Sequence, residues 1–100
     1  MVHVLGSRVL LRPTDLERSR AFYRDSLGLA IYREFGTAGR LGTVFFLGGG
    51  FLELSGHSDR PPEPSATQLW LQVPDAVQTQ MELRERGVAV LREPRKEPGG

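Results

Sequence analysis

The chain has 100 residues, of which 39% are hydrophobic and 25% charged, with a formal net charge of +1 and no cysteine. This balance fits one globular domain with a modest core and excludes a disordered chain. The arginines are scattered, without the dense basic runs of a phosphate-tracking surface, so no nucleic-acid partner is expected, and the missing cysteine rules out disulfides and thiolate metal sites.

The start, MVHVLGSRV, has neither the cationic lead nor the long apolar core of a signal peptide, and no stretch approaches membrane-spanning length. A cytoplasmic location without membrane association is the expectation. Arg8 to Arg12 is an apolar-rich run of strand length, ended by Pro13, which removes a ladder donor. Thr14 with Glu17 reads as a capping box that opens a helix. Leu16, Phe22, Tyr23 and Leu27 supply its apolar side, Arg18, Arg20, Arg24 and Asp25 mostly the other, and Gly28 its stop.

Leu29 to Phe35, partly alternating and rich in Ile, Tyr and Phe, predicts a strand, and Gly36 to Gly42 a loop. Gly42 to Leu47 predicts a further strand, Gly48-Gly49-Gly50 a hairpin turn, and Phe51 to Ser55 the antiparallel partner. Gly56 to Ala66, with His57, Asp59 and three prolines, reads as a linker.

The opening pattern then returns. Gln68 to Val73 predicts a strand before Pro74, Asp75 with Gln78 a second capping box, and Ala76, Val77, Met81 and Leu83 a weaker apolar stripe. Gly87 is the stop, and Val88 to Leu91 predicts another strand. Asp15 superposes on Asp75 and Arg8 on Gln68, a repeat of about sixty residues. The expected organisation is one domain over 1–100, with a first module at 6–56 and a second, incomplete one at 66–100. The second module lacks two strands after Leu91. A shortened chain, a protein without that hairpin, and a sheet completed by a partner chain would each account for this; the liability of an unpaired sheet edge favours the first.

The run LLRPTDLERSRAFYRDSLGL, with its D-L-x-x-S-x-x-F-Y-x-x-x-L-G-L pattern, followed by the glycine hairpin and FLELSG, resembles the glyoxalase, bleomycin-resistance and ring-cleaving dioxygenase (vicinal oxygen chelate) superfamily. The resemblance implies an α+β fold of tandem βαβββ modules, whose curved mixed sheet encloses a cleft, and a homodimer. It also implies a divalent metal held from the first and last strands of each module. Carried over, those positions are Arg8, Glu53, Gln68 and a fourth beyond Gly100. Glu53 matches the acidic ligand, whereas Arg8 and Gln68 stand where the family usually has His. Arginine has no lone pair to offer and an amide oxygen binds metal weakly, so no metal and no cofactor are expected.

Period-two alternation sends Arg8, Leu10 and Arg12, Gln68, Trp70 and Gln72, and Phe51, Glu53 and Ser55 into the cleft. Val9, Leu11, Leu52, Leu54, Leu69, Leu71 and Val73 then pack in the core. Arg8, Arg12, Phe51, Glu53, Gln68, Trp70 and Gln72 are accordingly the candidate ligand-binding residues. Trp70 would stack on a planar ligand or fill the core. Arg8 and Arg12 would grip an anion, or Arg8 would pair internally with Glu53.

No residue is expected to be catalytic. An arginine neighbour lowers the Glu53 pKa, against the requirement of a general base, and neither His3 nor His57 has an evident orienting partner. No phosphate loop, dinucleotide fingerprint, nucleophile elbow or zinc-binding His-Glu motif is present. Metal-independent sequestration of a small planar or anionic molecule, of the bleomycin-resistance type, is therefore the leading expectation. A metal-dependent lyase, isomerase or dioxygenase using Glu53 and residues past Gly100 is the rival, which leaves enzyme status open. A structural or regulatory homodimer with a vestigial cleft is the third.

Overall fold

The structure, a computed structural model, describes residues 1–37, 40–59 and 68–90. The chain divides into two compact units, Met1–Glu63 and Pro64–Gly100, within the proline-bearing stretch. The first is a βαβββ module: β1 (Arg8–Leu11), a helix, β2 (Ile31–Phe35), β3 (Gly42–Leu47) and β4 (Gly50–Leu54). Its four strands form an open mixed sheet in the order β1-β4-β3-β2, with β1 parallel to β4 and the other neighbours antiparallel. Leu47 faces Gly50 across a Gly48-Gly49 turn, and Gly48 has φ 55°, a conformation open to glycine at little steric cost.

The helix begins as α1 (Leu16–Ala21) and continues as a π-helical turn over Phe22–Ser26. Its N-cap corrects the sequence reading. Asp15, not Thr14, has the extended backbone of a cap, and its carboxylate accepts the Arg18 amide at 3.0 Å. Glu17 turns outward to Arg20 at 3.1 Å. The wider turn appears in the Leu27 N–H, which donates to the Phe22 carbonyl at 3.0 Å, and the Leu29 N–H closes the helix end on the Tyr23 carbonyl at 3.0 Å. Gly28, at φ 72°, lets the chain leave as expected.

The core lies between this helix and one sheet face. Phe45, Leu52 and Leu54 are fully buried or nearly so, with Val9, Leu11, Leu16, Tyr23, Leu29, Ile31 and Leu47 packed around them. Removing one such aliphatic side chain typically costs about 2–5 kcal/mol. Phe22, assigned to the apolar side by its spacing, is 39% exposed, whereas Arg20 is drawn inward to bridge Glu17 and, at 3.2 Å, Glu34 of β2. A long guanidinium stem covers apolar surface while its head reaches a carboxylate, which the helical spacing alone does not reveal.

In the second unit, α2 (Ala76–Glu85) is capped by Asp75, which accepts the Gln78 amide at 3.0 Å, but Gln78 turns forward to Glu82 instead of back to complete the box. Gly87 has φ 83°, and the bonds from Val88 to Leu83 and from Gly87 to Arg84 close a Schellman ending. Two expected strands are absent: residues 68–73 and 88–90 are in no sheet. Leu69, Leu71 and Val73, expected in the core, are each more than one-third exposed. An alternating pattern makes a strand only where a neighbour supplies ladder bonds, and among the described residues none pairs with these segments. Leu91 and the expected terminal loop lie outside the described residues.

Placing the cap at Asp15 has a measurable consequence. Asp15→Ala is expected to lower the unfolding free energy by about 1 kcal/mol and Thr14→Ala by less than about 0.5 kcal/mol. Chemical denaturation of the two variants separates these outcomes, and equal losses would return the cap to Thr14.

Candidate functional site

The sheet face turned away from the helix carries the candidate site. Cross-strand register arranges its side chains in rows. Arg8 lies beside Phe51, which faces Phe46; Leu10 lies beside Glu53, which faces Val44, which faces Arg33; Phe35 faces Gly42 at the end of the β2–β3 ladder. Between Ile31 and Arg33 the β2 register shifts by one residue, so Ile31 stays with Phe45 on the core side while Arg33 joins Val44 on the open side. The extra residue, Tyr32, meets the rings of Phe51 and Phe46 at centroid distances of 4.9 and 5.1 Å, and those two rings are 5.7 Å apart. This aromatic triad remains solvent-accessible, with Tyr32 at 51% and Phe46 at 45%.

A charged chain runs beside it. The Arg8 guanidinium lies 5.9 Å from the Phe51 ring centre and donates to Glu53 Oε1 at 2.8 Å, while the Ser55 hydroxyl donates to Glu53 Oε2 at 2.8 Å. Both carboxylate oxygens are thus engaged. The Glu53 pKa lies below its ordinary value, chiefly through the Ser55 hydrogen bond, with Arg8 and, more weakly, Arg33 acting in the same direction against partial desolvation. A carboxylate held ionised and doubly bonded is a poor general base.

Of the sequence candidates, the module brings together Arg8, Phe51 and Glu53. Arg12 lies one residue past β1, and its stem covers Gly56, where an added Cβ would stand 3.7 Å from the Arg12 Cγ and Cδ. Gln68, Trp70 and Gln72 belong to the second unit and are exposed, Trp70 by 86%. The sequence reading missed Tyr32, Arg33, Phe35 and Phe46. Phe46 was recoverable from alternation along β3, because Phe45 takes the core side. Tyr32 and Arg33 were not, because the bulge breaks the alternation between them.

His57, expected to lack an orienting partner, meets Asp59 at 2.7 Å. Both are strongly exposed. A cavity of about 610 Å³ opens beside His57 and the start of α1, lined also by Thr14, Asp15, Leu16, Glu17, Arg40 and Gly56. It combines no aromatic surface with its charges, and the Asp15 carboxylate there is already occupied by capping. The open sheet face has the better composition for recognising an organic molecule.

The family model of the Glyoxalase/Bleomycin resistance protein/Dioxygenase superfamily matches residues 2–100. The chain belongs to this superfamily. Similar solved structures of this glyoxalase-like fold include an integron cassette protein from the mobile metagenome of V. Cholerae, with a TM-score of 0.65, 20% identity, and coverage of 99% of this chain and 80% of that one. TioX from Micromonospora sp. ML1 has a TM-score of 0.65, 17% identity, and coverage of 95% and 84%. Lactoylglutathione lyase from Agrobacterium tumefaciens has a TM-score of 0.57, 18% identity, and coverage of 89% and 74%. No curated protein matches the chain. At these identities the likeness concerns the fold.

The superfamily implies a divalent metal, and the first-module residues do not fit one. Arg8 has no lone pair to offer, its cation beside Glu53 would repel an incoming metal, and its ion pair occupies one Glu53 oxygen. Among the described residues no three His, Cys, Asp or Glu side chains gather as a ligand set. Nor, among them, is any helix long and apolar enough to cross a membrane.

The state of Glu53 can be read by titration. Its folded pKa lies below its unfolded value, so the stability it contributes is fully present above the ordinary value of 4.5 and is lost as pH falls through the folded value. Ser55→Ala is expected to move the Glu53 pKa upward toward that ordinary value and to move the acid-side loss of stability up with it. A carboxyl-carbon NMR titration checks the direction; an unchanged Glu53 pKa would assign the effect to Arg8 and Arg33.

Proposed function

We propose that this glyoxalase-like chain binds a small planar or anionic organic molecule on its open sheet face, without a metal, and sequesters it unaltered in the manner of a bleomycin-resistance protein. One observation supports the reading: Arg8 and Ser55 engage both oxygens of Glu53, the residue set at an acidic ligand position by resemblance, beside the Tyr32–Phe46–Phe51 triad. Apolar rings give a ligand contact area, and the adjoining charges orient it. Arg12, Gln68, Trp70 and Gln72 belong to the proposed ligand set from the sequence pattern. The proposed setting is a cytoplasmic homodimer.

A metal-dependent lyase, isomerase or dioxygenase is the second reading. It is favoured by Glu53 standing at the acidic ligand position and by the likeness to a lactoylglutathione lyase. In that case Glu53 would leave Arg8 for the metal and be joined by ligands outside the described residues.

Two measurements on the full chain separate these readings. Metal-stripped protein is expected to show a saturable rise in melting temperature with planar arenes, and Phe51→Ala to remove it. Quenching of Trp70, the single tryptophan, by the same compounds would place that residue in the ligand set. Stoichiometric divalent metal in freshly purified protein, with ligand stabilisation lost on chelation, would overturn the proposal in favour of the enzyme.

A further inference from the structure

Arg33 was not among the sequence candidates, yet the β2 bulge delivers it to the same face as the aromatic triad. It lies in the row Leu10, Glu53, Val44, Arg33, and its guanidinium carbon stands 5.5 Å from the Phe35 ring centre. The next residue, Glu34, cannot neutralise it on this face, because Glu34 faces Thr43 and its carboxylate bonds Arg20 of the helix. Arg8 and Glu53 compensate each other, and the second Glu53 oxygen is held by Ser55. Among the described residues no carboxylate lies within ion-pair distance of Arg33. Among the described residues, Arg33 is therefore a cation on this face without an ion-pair partner, one cross-strand row from Phe46 and Phe51.

We infer that Arg33 is the anion grip of this face, and that its ligand class is a planar aromatic monoanion, an arene carboxylate, with the arene on the Tyr32–Phe46–Phe51 triad and the carboxylate on the Arg33 guanidinium. The inference rests on the ligand-binding reading of the same face and narrows it. A guanidinium stacked over a ring engages that ring through its flat side, leaving its N–H donors along the edge for a fork contact with two carboxylate oxygens. A single such fork suits a monoanion. A neutral arene leaves the charge of Arg33 unmatched, and a cationic arene is repelled by it.

Isothermal titration of the metal-stripped full chain with naphthoate, the isosteric naphthamide and naphthylmethylammonium tests this directly. Naphthoate is expected to bind about tenfold tighter than naphthamide, in line with a charge-assisted fork, and the ammonium compound more weakly than either. Arg33→Gln is expected to abolish the acid-to-amide preference, and Arg33→Lys to retain part of it. Equal affinity for acid and amide in the unsubstituted protein, or a preference surviving in Arg33→Gln, would overturn the assignment to Arg33 while leaving the ligand-binding reading in place. Absence of binding by all three probes would overturn that reading as well. The comparison of probes on the unsubstituted chain needs no variant, so a substitution that fails to fold does not shield the inference.

Discussion

The module depends on the central position of β4. Flanked by β1 in parallel and β3 in antiparallel pairing, β4 exposes no edge, so every residue along it is committed to one of two faces. Leu52 and Leu54 go under the helix, where they are almost wholly buried, and Phe51 and Glu53 are thereby forced to the other side. A one-residue slip would exchange the two sets, placing a carboxylate in the core and leucines on the open face. Hydrophobic burial on one face thus sets the composition of the other.

On the open face, short-range electrostatics decide what the residues can do. Glu53 is the residue that the sequence resemblance sets at an acidic ligand position, and the two hydrogen bonds it accepts change its chemistry. Ser55 and Arg8 stabilise the carboxylate and occupy both oxygens, which works against metal coordination and proton abstraction alike. In the aromatic triad next to it Tyr32 and Phe46 are accessible, while Val44, between Glu53 and Arg33 in the neighbouring row, is fully buried. Contact area and charge therefore sit side by side, an arrangement suited to holding and orienting a small molecule.

Much of the first module was legible from the chain. Each strand was placed within one or two residues of where it forms, Gly28 and Gly87 take the positive φ their stop role requires, and the Arg8–Glu53 pair was one of two readings given for Arg8. The errors are local and physical. Thr14 and Asp15 are both good caps, and only the backbone angles show which amide donor points at which side chain. The π-helical turn leaves no mark on the apolar spacing, because one inserted residue is absorbed within the same stripe. Trp70 and its neighbours alternate as a strand would, yet alternation says nothing about whether a pairing partner exists.

The sequence by itself carried the motif by which the chain resembles its superfamily, and it determined the βαβββ order of the first module and the division of β1 and β4 into core and open faces, because these two follow from caps, glycine stops and a two-residue period acting over a few neighbouring residues. Only the tertiary structure decided that Tyr32 and Arg33 share the open face with Phe46 and Phe51, and that Ser55 joins Arg8 in supporting the Glu53 charge. The bulge in β2 is a consequence of how that strand registers against β3, and the Ser55–Glu53 bond of how two side chains orient once the sheet is formed. Both depend on contacts between segments, which no local period encodes.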